Sequence, residues 1–232
     1  MANRPGGELA TRPLHFIWIC DCSGSMAGDK ISALNTAIKE AYPAMKDAAE
    51  QNPNAQVLVR ALKFSNSAEW VVEAPTPVED FKWIDLDADG VTDMGKALSL
   101  VADQLKIPPM SDRALPPVLV LISDGQPTDD FDSGLSKLMG QPWGKRAVRI
   151  SIAVGKDADK EVLAKFIGNV ELKPIETNNA PELVRQIRWV STAVLKAASQ
   201  PPSQTPDQKL SSNVPLPPPL EPMNDADIHD VW

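Results

Sequence analysis

The chain has 232 residues, with 31 Asp and Glu against 23 Lys and Arg, a formal net charge of −8 and a sequence pI near 4.8. That length fits one domain with an appendage, or at most two small ones, and the 43% hydrophobic fraction can build a real core. The acidic balance excludes a face built to neutralise a phosphate backbone, so no nucleic-acid partner is expected. No apolar run approaches the ~18 residues of a membrane span, and the polar start MANRPGGELATRP predicts no secretory signal, which makes the cytoplasm the expected location.

Residues 1–11 read as an N-terminal extension. LHFIWIC (14–20) is a continuous apolar run, the pattern of a strand covered on both faces. Residues 30–49 follow with helical spacing at Ile31, Leu34, Ile38, Tyr42 and Met45, and Pro43 predicts a kink or a broken turn. QVLVRALKF and EWVVEA predict a β-hairpin across the polar link 65–68. Residues 94–105 read as a helix, PPVLVLIS (116–123) as a second buried strand and AVRISIAVG (147–155) as a third. Residues 160–167 predict a helix, VELKPIE an edge strand interrupted by Pro174, and 180–197 a long helix opened by Asn179 and Pro181. Strands separated by helices imply an α/β fold: a doubly wound, mostly parallel central sheet flanked by helices, over residues 12–198.

From residue 199 the composition changes. Eight of the 22 prolines fall in the last 32 residues, so 199–232 reads as an extended, Pro-rich acidic tail. Its end joins Asp225, Asp227 and Asp230 to Ile228, Val231 and Trp232, a mixture suited to docking. Either Asp227, Ile228, Val231 and Trp232 engage a separate protein, or an Asp such as Asp227 reaches the metal site described next.

In doubly wound sheets the functional crevice lies beyond the carboxyl ends of the strands. Three polar clusters fall there: Asp21-Cys22-Ser23-Gly24-Ser25, Gly90-Val91-Thr92-Asp93, and Ser123-Asp124-Gly125 with Pro127-Thr128-Asp129-Asp130. They supply carboxylates and hydroxyls, with no imidazole or thiolate required. Such oxygens suit a hard dication, Mg²⁺ first and Mn²⁺ as the alternative.

The D-x-S-x-S after a buried strand, the Gly-x-Thr loop and the strand-end D-G-x-P-T-D resemble the metal-ion-dependent adhesion site (MIDAS) of von Willebrand factor A domains. Val91 stands where that family commonly has a second Gly. The resemblance implies Asp21, Ser23, Ser25, Thr92 and Asp124 as metal ligands, and a coordination position left free for a carboxylate from a protein partner. It also implies that partner binding can move the last helix. The chain is most similar in type to small bacterial intracellular members, including the tellurite-resistance TerY type. These imply a non-enzymatic interaction module working beside a protein kinase and a phosphatase in stress response or phage defence.

Other patterns compete. Asp85-x-Asp87-x-Asp89-Gly90 resembles an EF-hand start, but Lys96 occupies the position that needs a bidentate Glu. Gly90-x4-Gly95-Lys96-Ala97 falls short of a phosphate-binding loop because Ala97 replaces the Ser or Thr. Asp87-x-Asp89-Gly-Val also resembles the first motif of haloacid-dehalogenase-type phosphatases, with Asp87 as nucleophile and Asp89 as acid/base. That reading leaves D-x-S-x-S unexplained. Cys20 and Cys22 read as a core residue and a loop filler, too close along a strand for a normal bridge, and His15 as a core histidine.

Overall fold

A computed structural model describes residues 11–52, 54–199 and 232. The LHFIWIC run forms the middle of β1 (Arg12–Asp21), buried at every position after the first two. Its side chains alternate between two apolar layers, Leu14, Phe16, Trp18 and Cys20 on one face and Ile17 and Ile19 on the other. β1 can be apolar on both faces because the sheet is covered on both. It pairs in parallel with β2 (Ala55–Phe64) on one side and β4 (Val118–Ser123) on the other. The six-stranded order is β3-β2-β1-β4-β5-β6. Among the described strands only β3 (Ala68–Pro77) runs antiparallel, as the outer arm of the predicted hairpin. Its prolines sit at the sheet edge, where a missing N–H costs no ladder bond.

The first layer is closed by α1 (Asp29–Glu50) and the C-terminal helices, the second by α2 (Met94–Gln104), α3 (Phe131–Gly140), α4 (Pro142–Arg146) and α5 (Lys160–Ile167). β5 (Val148–Val154) and β6 (Ile175–Thr177) complete the sheet. All six residues of β4 are buried. Each Val, Leu or Ile among them contributes about 1.5–3 kcal/mol relative to exposure, so the sheet centre is the rigid platform of the molecule.

The doubly wound fold follows the sequence reading, with four differences. First, α1 continues through Pro43, because its buried stripe (Ile31, Leu34, Ile38, Ala41, Met45) holds the helix together across the missing hydrogen bond. Second, α3 and α4 occupy a stretch for which the sequence predicts no element. Third, β6 is only three residues long and starts after Pro174. Fourth, the long last helix is divided into α6 (Ala180–Trp189), a π-helical turn (Val190–Val194) and α7 (Leu195–Ser199). Its predicted start holds: Asn179 Oδ1 accepts the Glu182 N–H at 2.9 Å, and a proline occupies the first turn. Among the described residues no helix is long and apolar enough to cross a membrane.

Candidate metal centre

The strand order reverses between β1 and β4, because the chain moves outward from β1 to β2 and β3, then returns to place β4 on β1's other side. Crevices form at such points beyond the carboxyl ends. Asp21 ends β1 and Asp124 follows β4, so both carboxylates stand at this switch point.

Asp21 is fully buried. The Ser23 N–H donates to its Oδ1 at 2.8 Å, and the Ser123 hydroxyl donates to its Oδ2 at 2.6 Å. The hydroxyls of Ser23 and Ser25 lie 2.9 Å apart, Ser23 buried and Ser25 exposed. A 3₁₀ turn, Gly24–Met26, follows with Met26 buried beneath it, and the Cys22 N–H extends the β1–β2 ladder to the Phe64 carbonyl at 2.8 Å. The loop is thus pinned from below, with Ser23 buried and Ser25 at the surface.

The second loop is tied to the first by two backbone bonds, Gly24 N–H to the Gly90 carbonyl at 2.9 Å and Asp89 N–H to the Cys22 carbonyl at 2.8 Å. Gly90 has φ +84°, and a side chain there would collide with Asn66, whose Oδ1 accepts the Val91 N–H at 3.1 Å. The glycine is needed at Gly90. At Val91 it is not: its φ is not positive and its side chain is exposed, so the departure from Gly-Gly-Thr is absorbed by solvent. Thr92 is buried and clasped to the third loop: its N–H donates to Thr128 Oγ1 at 3.0 Å and its carbonyl accepts the Thr128 N–H at 2.9 Å.

In the third loop the Ser123 hydroxyl also accepts the Gly125 N–H at 2.8 Å. Gly125 has φ +74°, and a Cβ there would press on the Asp159 carbonyl at 2.6 Å. The Asp124 carbonyl accepts the Asp159 N–H at 2.6 Å. Asp124 is 4% exposed, and its Oδ1 is buried without a hydrogen-bond partner.

Burial pushes the Asp21 carboxyl up to about 6; the bonds from Ser123 and Ser23 pull it down, and the neighbouring Asp124 charge raises it. Neither carboxylate is in an ion pair with a described lysine or arginine. Two buried acids side by side, one with an orphaned oxygen, are costly unless a cation joins them. A dication bound by these two carboxylates and the hydroxyls of Ser23, Ser25 and Thr92 fits this donor set. Among the described residues no group of three or more His, Cys, Asp or Glu is placed to hold a metal ion.

Two residues outside the five candidates organise the centre. Ser123 couples the ends of β1 and β4. Asp129 caps α2 from the third loop, its two oxygens accepting the Gly95 and Lys96 N–H groups at 2.8 Å each. Both lie in the sequence cluster at 123–130. Their roles depend on contacts across more than 30 residues, which spacing does not reveal.

The competing patterns separate physically. Asp85 pairs with Lys39, while Asp89 accepts the Gly90 N–H within its own loop, so the EF-hand ligands point to different partners. The amides of the would-be phosphate loop are already taken by Asp129, and Lys96 is paired with Asp93. Asp87 is exposed in an irregular loop rather than at the end of a sheet strand, which leaves the phosphatase motif without its scaffold. Cys20 and Cys22 are free and buried, their thiols pushed up by burial, Cys22 to about 12, so neither is a thiolate at neutral pH. Burial and Arg60 lower His15 to about 4, and it sits in the first half of β1, away from the crevice. In the tail, Asp227, Ile228 and Val231 lie outside the described residues; Trp232 is described and partly buried.

A search of curated proteins returns no match. Among solved structures, the chain is similar to a von Willebrand factor type A protein from Catenulispora acidiphila (TM-score 0.59, 17% identity, 80% of this chain and 43% of that one). It is similar also to the ArnB paralog VWA2 from Sulfolobus acidocaldarius (0.53, 21%, 75% and 44%) and to the PilB minor pilin from Streptococcus sanguinis (0.58, 15%, 84% and 64%). At these identities the likeness is one of fold, and the chain spans less than half the length of the first two. The von Willebrand factor type A domain model matches residues 17–180. With most of the chain inside that match and the family's sheet around its switch-point crevice, the chain belongs to the von Willebrand factor type A domain family.

Proposed function

We propose that the chain is a metal-dependent protein-interaction module. Asp21, Ser23, Ser25, Thr92 and Asp124 hold one Mg²⁺, or Mn²⁺ in its place, and the ion accepts a carboxylate from a protein partner. The observation that carries this reading is the orphaned, buried Asp124 Oδ1 beside the buried Asp21, at the point where three tied loops converge. Two carboxylates neutralise a dication without surplus, so the ion keeps the Lewis acidity to take a further anion. The exposure of Ser25 supports an open side facing solvent. The chain's own residues thus position the ion, and the bound ion supplies only electrostatic attraction.

The proposed role is non-enzymatic: the ion serves to bind a partner's carboxylate, not to drive hydrolysis. Placement in the cytoplasm, in a stress-response or phage-defence system with a protein kinase and a phosphatase, rests on the likeness to TerY-type members alone. The test is a pull-down from the native host with the full chain, with and without chelator. Partners retained in Mg²⁺, released by EDTA and lost in Asp21→Ala and Thr92→Ala are expected. Retention indifferent to EDTA, or phosphate-ester turnover abolished by Asp87→Ala, contradicts the proposal.

A further inference from the structure

We propose that the rim beside the metal centre carries a tryptophan cradle, filled by the chain's own Trp232. Two segments far apart in sequence, at Gly155 and at Asn178, meet on this one residue. The Trp232 N–H donates to the Asn178 carbonyl at 3.1 Å, just past the end of β6. A Cβ built on Gly155 would lie 3.5 Å from Trp232 Cδ1 and 3.1 Å from Lys30 Nζ, so the ring and the lysine close over the same bare stretch of backbone. The indole packs against the apolar layer that α1 and α6 share with the sheet, and its Nε1 is buried without a hydrogen-bond partner. Apolar contact and one backbone bond therefore hold the ring, rather than a polar contact at its tip.

Gly155 suits this role because it has φ +91° and no side chain, which lets Trp232 Cδ1 and the Lys30 ammonium approach its backbone. Its N–H donates to the Thr177 carbonyl at 2.8 Å, which fixes the floor of the cradle to β6. The last helical run, Ala180–Ser199, leads away from this rim by about 30 Å. Trp232 is thus returned to the edge from which α6 departs.

The position gives the cradle a role. Residues 155–159 form its floor at one end and grip Asp124 at the other, through the Asp159 N–H at 2.6 Å from the Asp124 carbonyl. Lys30 lies in the first turn of α1, directly after the loop bearing Ser23 and Ser25. Docked Trp232 therefore braces the 155–159 segment that grips Asp124, with Lys30 of α1 closing over the same glycine, in cis and independently of whether the centre holds a metal.

The experiment uses the full chain labelled with 5-fluorotryptophan and ¹⁹F NMR, with Trp232→Phe assigning the resonance. The expected result is a Trp232 signal displaced from that of a free peptide, as broad as those of the five other tryptophans and unchanged on dilution. A narrow signal at the free-peptide position overturns the proposal, as does a displacement that disappears on dilution, which would place Trp232 in a second copy. As a second measurement, a fluorescent peptide of residues 224–232 is titrated into the Trp232→Ala chain and into the intact chain. A cradle filled in cis makes the intact chain bind about ten-fold or more weakly. Equal binding to the two chains, or none to the Trp232→Ala chain, overturns it.

Discussion

Replacing Ser123 by Ala removes one oxygen that serves two buried partners. The hydroxyl donates to Asp21 Oδ2 at 2.6 Å and accepts the Gly125 N–H at 2.8 Å, within a residue that is fully buried. A hydrogen bond to a charged group contributes about 1.5–3 kcal/mol, and leaving a buried N–H unsatisfied costs about 1–3 kcal/mol. The two losses overlap because both partners relax together, so the expected destabilisation is about 2–4 kcal/mol. Urea unfolding at neutral pH in EDTA measures it, and at a typical slope near 2 kcal/mol/M the midpoint falls by about 1–2 M. The same variant is expected to bind Mg²⁺ more weakly, since Asp21 loses the partner that aims its second oxygen. A loss below about 0.5 kcal/mol, the range of an inconsequential surface change, would refute the idea that Ser123 ties the two strand ends together.

His15 is held near 4 in the fold against 6.5 when free, so as pH falls from about 6.5 to about 4 the unfolded chain takes up a proton that the folded chain refuses. That contribution is absent above 6.5 and costs about 3 kcal/mol by pH 4; His15→Leu is expected to flatten this part of the stability–pH profile, and identical slopes would contradict it. At the contact of α2 and α3, a Cβ on Gly95 would collide with the Asp130 carbonyl and one on Gly134 with the Gly95 backbone. Each Gly→Ala is therefore expected to cost about 1–3 kcal/mol by thermal melting, where Gly140→Ala, with open space around it, should cost nothing. Asp129→Ala should destabilise by about 1 kcal/mol through the lost cap on α2, read by urea unfolding.

The parallel sheet was legible because strands buried on both faces leave uninterrupted apolar runs, as at residues 14–20 and 118–123, and the intervening helices leave helical spacing. The crevice was legible because the strand-end rule directs attention to Asp21 and Asp124, which do stand at the ends of β1 and β4. The stretch 131–146 was not legible as helix. Gly134 and Gly140 weaken the helical propensity of FDSGLSKLMG, and Gly134 is present so that α3 can press against Gly95, a contact no local window contains. The helix over 30–49 was legible despite Pro43, because its buried stripe keeps the helical period across the proline. Asp129 and Ser123 act across loops, so their roles emerge only when β4 lies beside β1. The docking character of the chain's last residues was readable, but not the seat of Trp232, which depends on Gly155 and Lys30 meeting in space.

Calorimetric titration of the chelator-treated full chain with Mg²⁺ and with Mn²⁺, beside Asp124→Ala, tests the central claim most directly. One ion per chain for the native sequence, and none for Asp124→Ala while that variant keeps its folded circular-dichroism spectrum, is the predicted result. Uptake of neither ion by the native chain, or equal uptake by Asp124→Ala, would contradict a cation shared by the ends of β1 and β4.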